Sequence, residues 1–516
     1  MDTIRKKNMD ILTKTISLLF RKRQKEIEAF AQHAEDIQLQ QLHALVRKAR
    51  KTEYGRTNDF DHLCSYQDFA ERIPIHSYDD LKPAITRMVN GEADVLWPSV
   101  VKWYAKSSGT TNDKSKFIPV TPDILHQCHY KGGFDCVALY LRNHTDSHFF
   151  SRKGLILGGS HSPSPLNASA HCGDLSAVLL QNLNPLVNLI RVPDKQIILM
   201  DEWESKIEAI VNSTCNKDVN SLSGVPSWML VLIKAVLKKT GKEYLTDVWP
   251  HLEVFFHGGI SFEPYREQYK ALIPSDRMHY METYNASEGF FGIQDNPDDH
   301  SLLLMIDYGI FYEFIPMNEL DNEHPAVVPL SAVETGKNYA MVITTAGGLW
   351  RYMIGDTVRF TSLSPYKFVI SGRTRHFINA FGEELMVDNA DKALAKACHE
   401  TGAVVKEYTA APLFILDKGK GRHQWLVEFE KIPPSTESFA ALLDLSLQEV
   451  NSDYEAKRYK EISLQPLELI VAHEGTFYQW LRGKGKLGGQ HKIPRLSNSR
   501  KQLEELLQIS NSLQHR

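Results

Sequence analysis

Between about residues 95 and 375, apolar runs no longer than a strand alternate with stretches of helical length. This alternation limits the fold more than any other property of the chain. Residues 155–157, 253–256, 278–280, 339–345 and 368–370 read as short strands, and 204–211 and 226–239 as helices. Residues 97–104 read as a strand region, after which Thr121-Pro122 offers an N-cap and first-turn proline for a helix towards Leu141. Strands interleaved with helices predict an α/β body of mixed α+β character.

The flanks differ. Over residues 10–50, Ile27, Phe30, Ala31, Ala34, Ile37, Leu42, Leu45 and Val46 recur near a 3.6 period, which predicts helix. After about Arg375, residues 412–416, a turn over 417–421 and the alternating Trp425, Val427 and Phe429 predict a hairpin, followed by amphipathic helices near 437–450 and 497–512. The expected division is a large N-terminal domain, 1–375, and a small α+β domain, 376–516. At roughly 150 residues per unit, 516 residues suffice for several ordinary cores without disulfides or metals.

A net charge of −4 argues against a dedicated nucleic-acid binder. No apolar run approaches the ~20 residues that span a bilayer. Six cysteines without a CxxC pair fit a reducing compartment, hence a cytoplasmic protein. Near the N-terminus, Lys14 interrupts the apolar run and Arg21-Lys22-Arg23 follows it, so an amphipathic docking helix suits the segment better than a signal peptide. His144 and His148 lack the intervening glutamate of a metalloprotease helix.

Four stretches carry chemistry. Ser107-Ser108-Gly109-Thr110-Thr111, followed by Lys114 and Lys116, makes a turn rich in donors that can converge on phosphate oxygens; the composition also fits an exposed polar hairpin. Tyr284-Asn285-Ala286-Ser287-Glu288-Gly289 reads as a turn whose Glu288 is either solvated or a hard-oxygen ligand for Mg²⁺. In Trp350-Arg351-Tyr352-Met353-Ile354-Gly355-Asp356, the aspartate is either a β-turn residue or an acceptor for a ribose cis-diol, and Arg373 follows 17 positions later. The basic, glycine-rich run from Arg482 to Arg495 is either a solvated loop or a means of delivering a cation to an anionic transition state.

In this order the four stretches resemble the motifs of adenylate-forming enzymes. Within that superfamily they are most similar to the Gretchen Hagen 3 family, the auxin-responsive acyl acid amido synthetases and their bacterial relatives. Gln490-His491-Lys492-Ile493-Pro494-Arg495 resembles that family's C-terminal signature, and the resemblance runs from about residue 30 to 510. It implies a large domain that binds ATP and an acyl acid, and a small domain that rotates between two half-reactions. By position it implies that Ser107, Ser108, Gly109, Thr110, Thr111 and Lys116 hold phosphates and that Tyr284 lies near the adenine. Glu288 would bind Mg²⁺, Asp356 grip the ribose, Arg373 mark the hinge side and Lys492 neutralise charge.

The implied reaction adenylates a carboxylic acid and passes the acyl group to an amino acid, leaving AMP and pyrophosphate; the alternative acceptor is coenzyme A. Partners are small molecules, with a monomer as the default. Plant members carry a lysine where this chain has Phe381-Gly382-Glu383-Glu384. The acyl pocket is expected between about residues 125 and 260, where Trp228, Met229, Gly158-Gly159 and Gly258-Gly259 lie, residues that read equally as ordinary core and turn positions. His126, His129, His161 and Glu383 are candidate bases.

Overall fold

The computed structural model describes the chain except residues 1–8, 108–115, 160–163, 184–186, 188, 261, 321, 323, 375–376, 379, 382, 384, 416–419, 459–463, 485–486, 488–492 and 515–516. Its centre is a twelve-stranded mixed sheet. Four neighbouring strands, Lys153–Ile156, Val219–Gly224, Val254–Gly258 and His279–Ala286, run parallel. Beyond His279–Ala286 come Gly289–Ile293, Leu302–Leu304, Tyr366–Arg373, Tyr352–Leu363, Asn338–Thr345 and Ile310–Pro316, each antiparallel to the one before. A four-stranded sheet contains the hairpin Trp103–Ser107 and Lys116–Val120. The expectation of a mixed α/β body therefore holds.

Several strands are longer or later than their apolar cores suggest. The strand expected at 278–280 runs on to Ala286, so Tyr284 and Asn285 lie in it and the turn shrinks to Ser287-Glu288. The strand region expected from Trp97 begins only at Trp103 and continues to Ser107. Past Thr121, whose hydroxyl accepts from the Ile124 amide, the helix opens into a π turn over Leu125–Tyr130 and then runs as Lys131–Asn143. The expected tail hairpin is Val404–Ile415 with Lys420–Lys431, extended by a parallel strand, Glu468–Ala472. Helices Thr436–Val450 and Lys501–Gln514 match the two expected there.

Among the described residues, the large body holds two main apolar clusters, and those after Ile378 form two of their own. Met229 follows its core reading and is fully buried in the second of these clusters. No helix among the described residues is long and apolar enough to cross a membrane.

The first helix, Ile11–Glu28, docks through Phe20, Ile27 and Arg23 while Ile11, Leu12, Leu18 and Leu19 stay exposed. Arg23 Nη2 meets Asp135 Oδ2 at 2.7 Å and Arg23 Nη1 meets Asp307 Oδ2 at 2.5 Å. Tyr308 Oη also donates to Asp135, which is fully buried. Burial pushes the Asp135 carboxyl up, and the Arg23 guanidinium opposes it. Removing the cation leaves the buried Asp135 carboxylate with only the Tyr308 hydroxyl, while Asp307 keeps Lys131 at 2.9 Å, so Arg23→Met should lower unfolding stability by about 3 kcal/mol. Lys22→Met, on the exposed face, should change it by under about 0.5 kcal/mol in the same urea titration.

Candidate active site

The carboxyl ends of the four parallel strands open on one cavity of about 3220 Å³. Ligands of open α/β sheets bind at such ends, because each strand there gives way to a loop that can face the crevice. The double-glycine turns Gly158-Gly159 and Gly258-Gly259 line the cavity, as do Asn285, Ser287 and Glu288 from the end of His279–Ala286. A Cβ at Gly258 would stand 2.3 Å from the Thr283 carbonyl oxygen, and Gly259 has φ +87°, so this turn needs glycine at both positions.

Asp356 enters from the antiparallel half of the sheet. Thr357 pairs with Ala340 and Met353 with Val342, so Ile354–Asp356 bulge outward opposite a single residue, Met341. Gly355 sits at φ +90° within the bulge. Asp356 is thus a strand residue aimed by a bulge, which corrects the β-turn reading. Tyr284 Oη donates to Asp356 Oδ2 at 2.5 Å, and Arg373 Nε meets Asp356 Oδ1 at 2.8 Å from the paired strand position. Both Tyr284 and Asp356 are 6% exposed.

Glu288 caps the tight hairpin between His279–Ala286 and Gly289–Ile293. Burial raises its carboxyl pKa, Lys116 opposes that shift, and Asp356 adds to it. Lys116 Nζ donates to Tyr352 Oη at 3.3 Å and lies over the rings of Tyr78 and Tyr352, at 5.5 and 5.9 Å. Ser107 and Lys116 are cross-strand partners and both line the cavity. Ser108, Gly109, Thr110, Thr111 and Lys492 fall outside the described residues, as does His161. Described residues Ile493–Arg495 tie the signature's end to the small domain's hairpin, where Arg495 Nη1 meets Glu407 at 2.7 Å; Arg495 Nη2 also donates to Tyr265 at 3.1 Å.

Of the candidate bases, Glu383 is excluded by position: it is fully buried against His423 at 2.7 Å in the small domain's interior. His126 and His129 both line the cavity. His129 lies in the π turn, with Nδ1 3.2 Å from Asn285 Oδ1, and burial lowers its pKa to about 4. His144 stacks on His279 at 3.7 Å, whereas His148 faces Asp10.

Two features escaped the sequence reading. Arg351 is buried at φ +38° and joins Glu313 by two hydrogen bonds of 2.8 and 2.9 Å, anchoring the strand that carries Asp356. Glu282 lines the cavity with its pKa pushed up to about 7 by burial, which Arg266 partly offsets.

Models of the GH3 family match three successive parts of the chain: the N-terminal domain at residues 23–278, the central domain at 303–373 and the C-terminal domain at 388–501. Indole-3-acetic acid-amido synthetase GH3.3 of Arabidopsis thaliana is 24% identical, covering 91% of this chain and 90% of that protein. The solved structure of AtGH3.15 acyl acid amido synthetase in complex with 2,4-DB superposes with a TM-score of 0.77 at 19% identity, over 94% of this chain and 95% of that one. A 2-hydroxyisobutyryl-CoA ligase in the postadenylation state gives 0.56 at 13% identity, over 92% and 91%.

Glu282 offers a direct test of the cavity's electrostatics. Its folded pKa lies above the ordinary 4.5, so the native state holds the proton more tightly than the unfolded chain. Stability is therefore lost as pH rises from 4.5 through 7, by roughly 2–3 kcal/mol. Glu282→Gln should flatten that decline in urea titrations across the window. With its fold, its site and its matched segments taken together, the chain belongs to the GH3 family.

Proposed function

We propose that the protein activates a small-molecule carboxylic acid with ATP and joins it to the amine of an amino acid. In the first step a carboxylate oxygen attacks the α-phosphorus of ATP, forming an acyl–AMP anhydride and expelling pyrophosphate. In the second the amine attacks the acyl carbonyl, the bond to the phosphate oxygen breaks, and AMP and a proton leave. The observation that carries this reading is the meeting of Glu288, Lys116, Asp356 and Arg373 around one cavity at the ends of parallel strands.

Each residue has work suited to its chemistry. Ser107, Ser108, Gly109, Thr110 and Thr111 hold the phosphates, and Lys116, kept in place by two tyrosines, adds charge to them. Asp356 has only acceptors to offer and takes the ribose hydroxyls, while Tyr284 supports it and borders the adenine. Arg373 balances the Asp356 charge on the hinge side. Lys492 arrives with the small domain, residues 376–516, which rotates on a junction near 375. Lys234–Glu430 at 2.6 Å joins the two bodies across exposed surface and opposes such a rotation little, whereas the more deeply buried Arg495–Tyr265 contact has to be exchanged for other partners.

Glu288 fits Mg²⁺, which takes one or two carboxylates and completes its shell with phosphate and water. A buried carboxylate held near Lys116 gains from a divalent charge. When bound, the ion supplies charge neutralisation for the phosphate oxygens. An amine is favoured over coenzyme A because the amido synthetase structure superposes more closely than the thioester-forming ligase. The same reading takes the enzyme as a cytoplasmic monomer, in keeping with free cysteines at all six positions.

Pyrophosphate release across a panel of carboxylic acids, with amino acids or coenzyme A added, tests this reading. Glu288→Ala should reduce release at least about 100-fold. Asp356→Ala should weaken ATP binding by about 2–3 kcal/mol, through the lost hydrogen bonds and the Arg373 charge left behind. Pyrophosphate release unaltered in both variants contradicts the assignment.

A further inference from the structure

The reading above leaves the acid itself unspecified, and the inference here rests on that reading. We propose that the acid has an extended hydrocarbon body, and that Gly133 is the residue that makes room for it. The π turn Leu125–Tyr130 and the helix Lys131–Asn143 form one continuous wall of the cavity. His126, Tyr130, Gly133, Phe134 and Val137 all line it, at the three- and four-residue spacing of a single helix face. The start of this wall is pinned to the nucleotide end, because His129 meets Asn285 and the Cys128 sulfur accepts from the Phe290 amide. Val137 lies eight residues beyond His129, about 12 Å farther along the axis, so the wall leads well away from the phosphate chemistry.

The far part of this channel is apolar. Phe134, though 45% exposed, lines the cavity and packs at a tilt of 35° against Phe20 of the first helix, with centroids 4.3 Å apart. Phe149 contacts Phe150 at 5.2 Å and Phe256 at 6.1 Å, carrying the apolar surface back to the strand that ends in Gly258. The Tyr130 hydroxyl is already given to the Leu179 carbonyl at 2.9 Å, so its ring is what the channel meets. Of the polar side chains that line the cavity, Ser221, Ser223 and Arg191 belong to strands of the large sheet.

Within this wall two consecutive glycines interrupt a helix, where glycine is the least favourable residue after proline. Packing explains the first: a Cβ at Gly132 would stand 2.5 Å from the ring of Phe290. Packing does not explain the second. Gly133 is exposed where it lines the cavity, a Cβ there would meet nothing within 4 Å, and its φ is not in the left-handed range. Open space beside a half-covered phenylalanine suits a hydrocarbon body passing between them. Each buried methylene then adds about three- to fourfold in affinity.

Calorimetric binding of straight-chain acids of about six to twelve carbons, with phenylacetate as the compact control, tests the proposal with a non-hydrolysable ATP analogue present. Wild type should bind more tightly with each methylene and prefer the long acids to phenylacetate. Gly133→Leu should keep the six-carbon acid within about twofold, weaken the twelve-carbon acid at least tenfold and melt no lower than wild type, since leucine suits a helix. Wild-type affinity that does not rise with length, or a Gly133→Leu series that matches wild type, overturns the proposal. Pyrophosphate release, followed in parallel, separates the two readings. Long acids that bind without release contradict adenylation and leave the channel standing. Release confined to compact acids overturns the channel and leaves adenylation standing.

Discussion

The hydrogen bond from Tyr284 to Asp356 joins strands four places apart in the same sheet, and the site is built on that closure. In a flat sheet such strands would be separated by about 19 Å. The 2.5 Å contact therefore requires the sheet to curl until its parallel and antiparallel halves face one cavity. The short strands Gly289–Ile293 and Leu302–Leu304 between them permit the curl, and the tight hairpin at Ser287-Glu288 places a carboxylate at its rim. Arg373 closes the arrangement by pairing with Asp356 from the adjacent strand.

Burial in this site works against charge. Glu282 and Glu288 are carboxyls pushed up by burial, and His129 and His257 are held at about 4 and about 3 by the same loss of water. In the proposed reaction, a nucleotide with its metal returns polar partners to Glu288. The buried pairs Arg351–Glu313 and Arg23–Asp135 lie behind the cavity walls, outside its lining. In the proposed mechanism the small domain, joined to the large body in part by exposed pairs such as Lys234–Glu430, changes the face it turns towards the cavity.

Motif order made the family legible in the sequence, and strand-helix alternation made the α/β body legible. What the residues could not display was depth. The strand His279–Ala286 looked three residues long because Glu282, Thr283 and Asn285 are polar; those residues serve a crevice and break the apolar pattern that marks a strand. Asp356 looked like a turn residue because the glycine before it signals a turn, whereas here glycine serves a bulge. The partnership of His129 with Asn285 spans 156 positions and leaves no local trace. Gly133 showed no signal at all, since its meaning is the empty space beside it.

The central claim is that one cavity first makes an acyl adenylate and then aminolyses it. A single turnover without acceptor, quenched and resolved by mass spectrometry, examines that claim most directly. The account predicts acyl–AMP and pyrophosphate in equal amounts, followed on adding amino acids by conversion to the N-acyl amino acid and AMP. Formation of ADP and phosphate, or an adenylate consumed by coenzyme A and left untouched by amino acids, would contradict it.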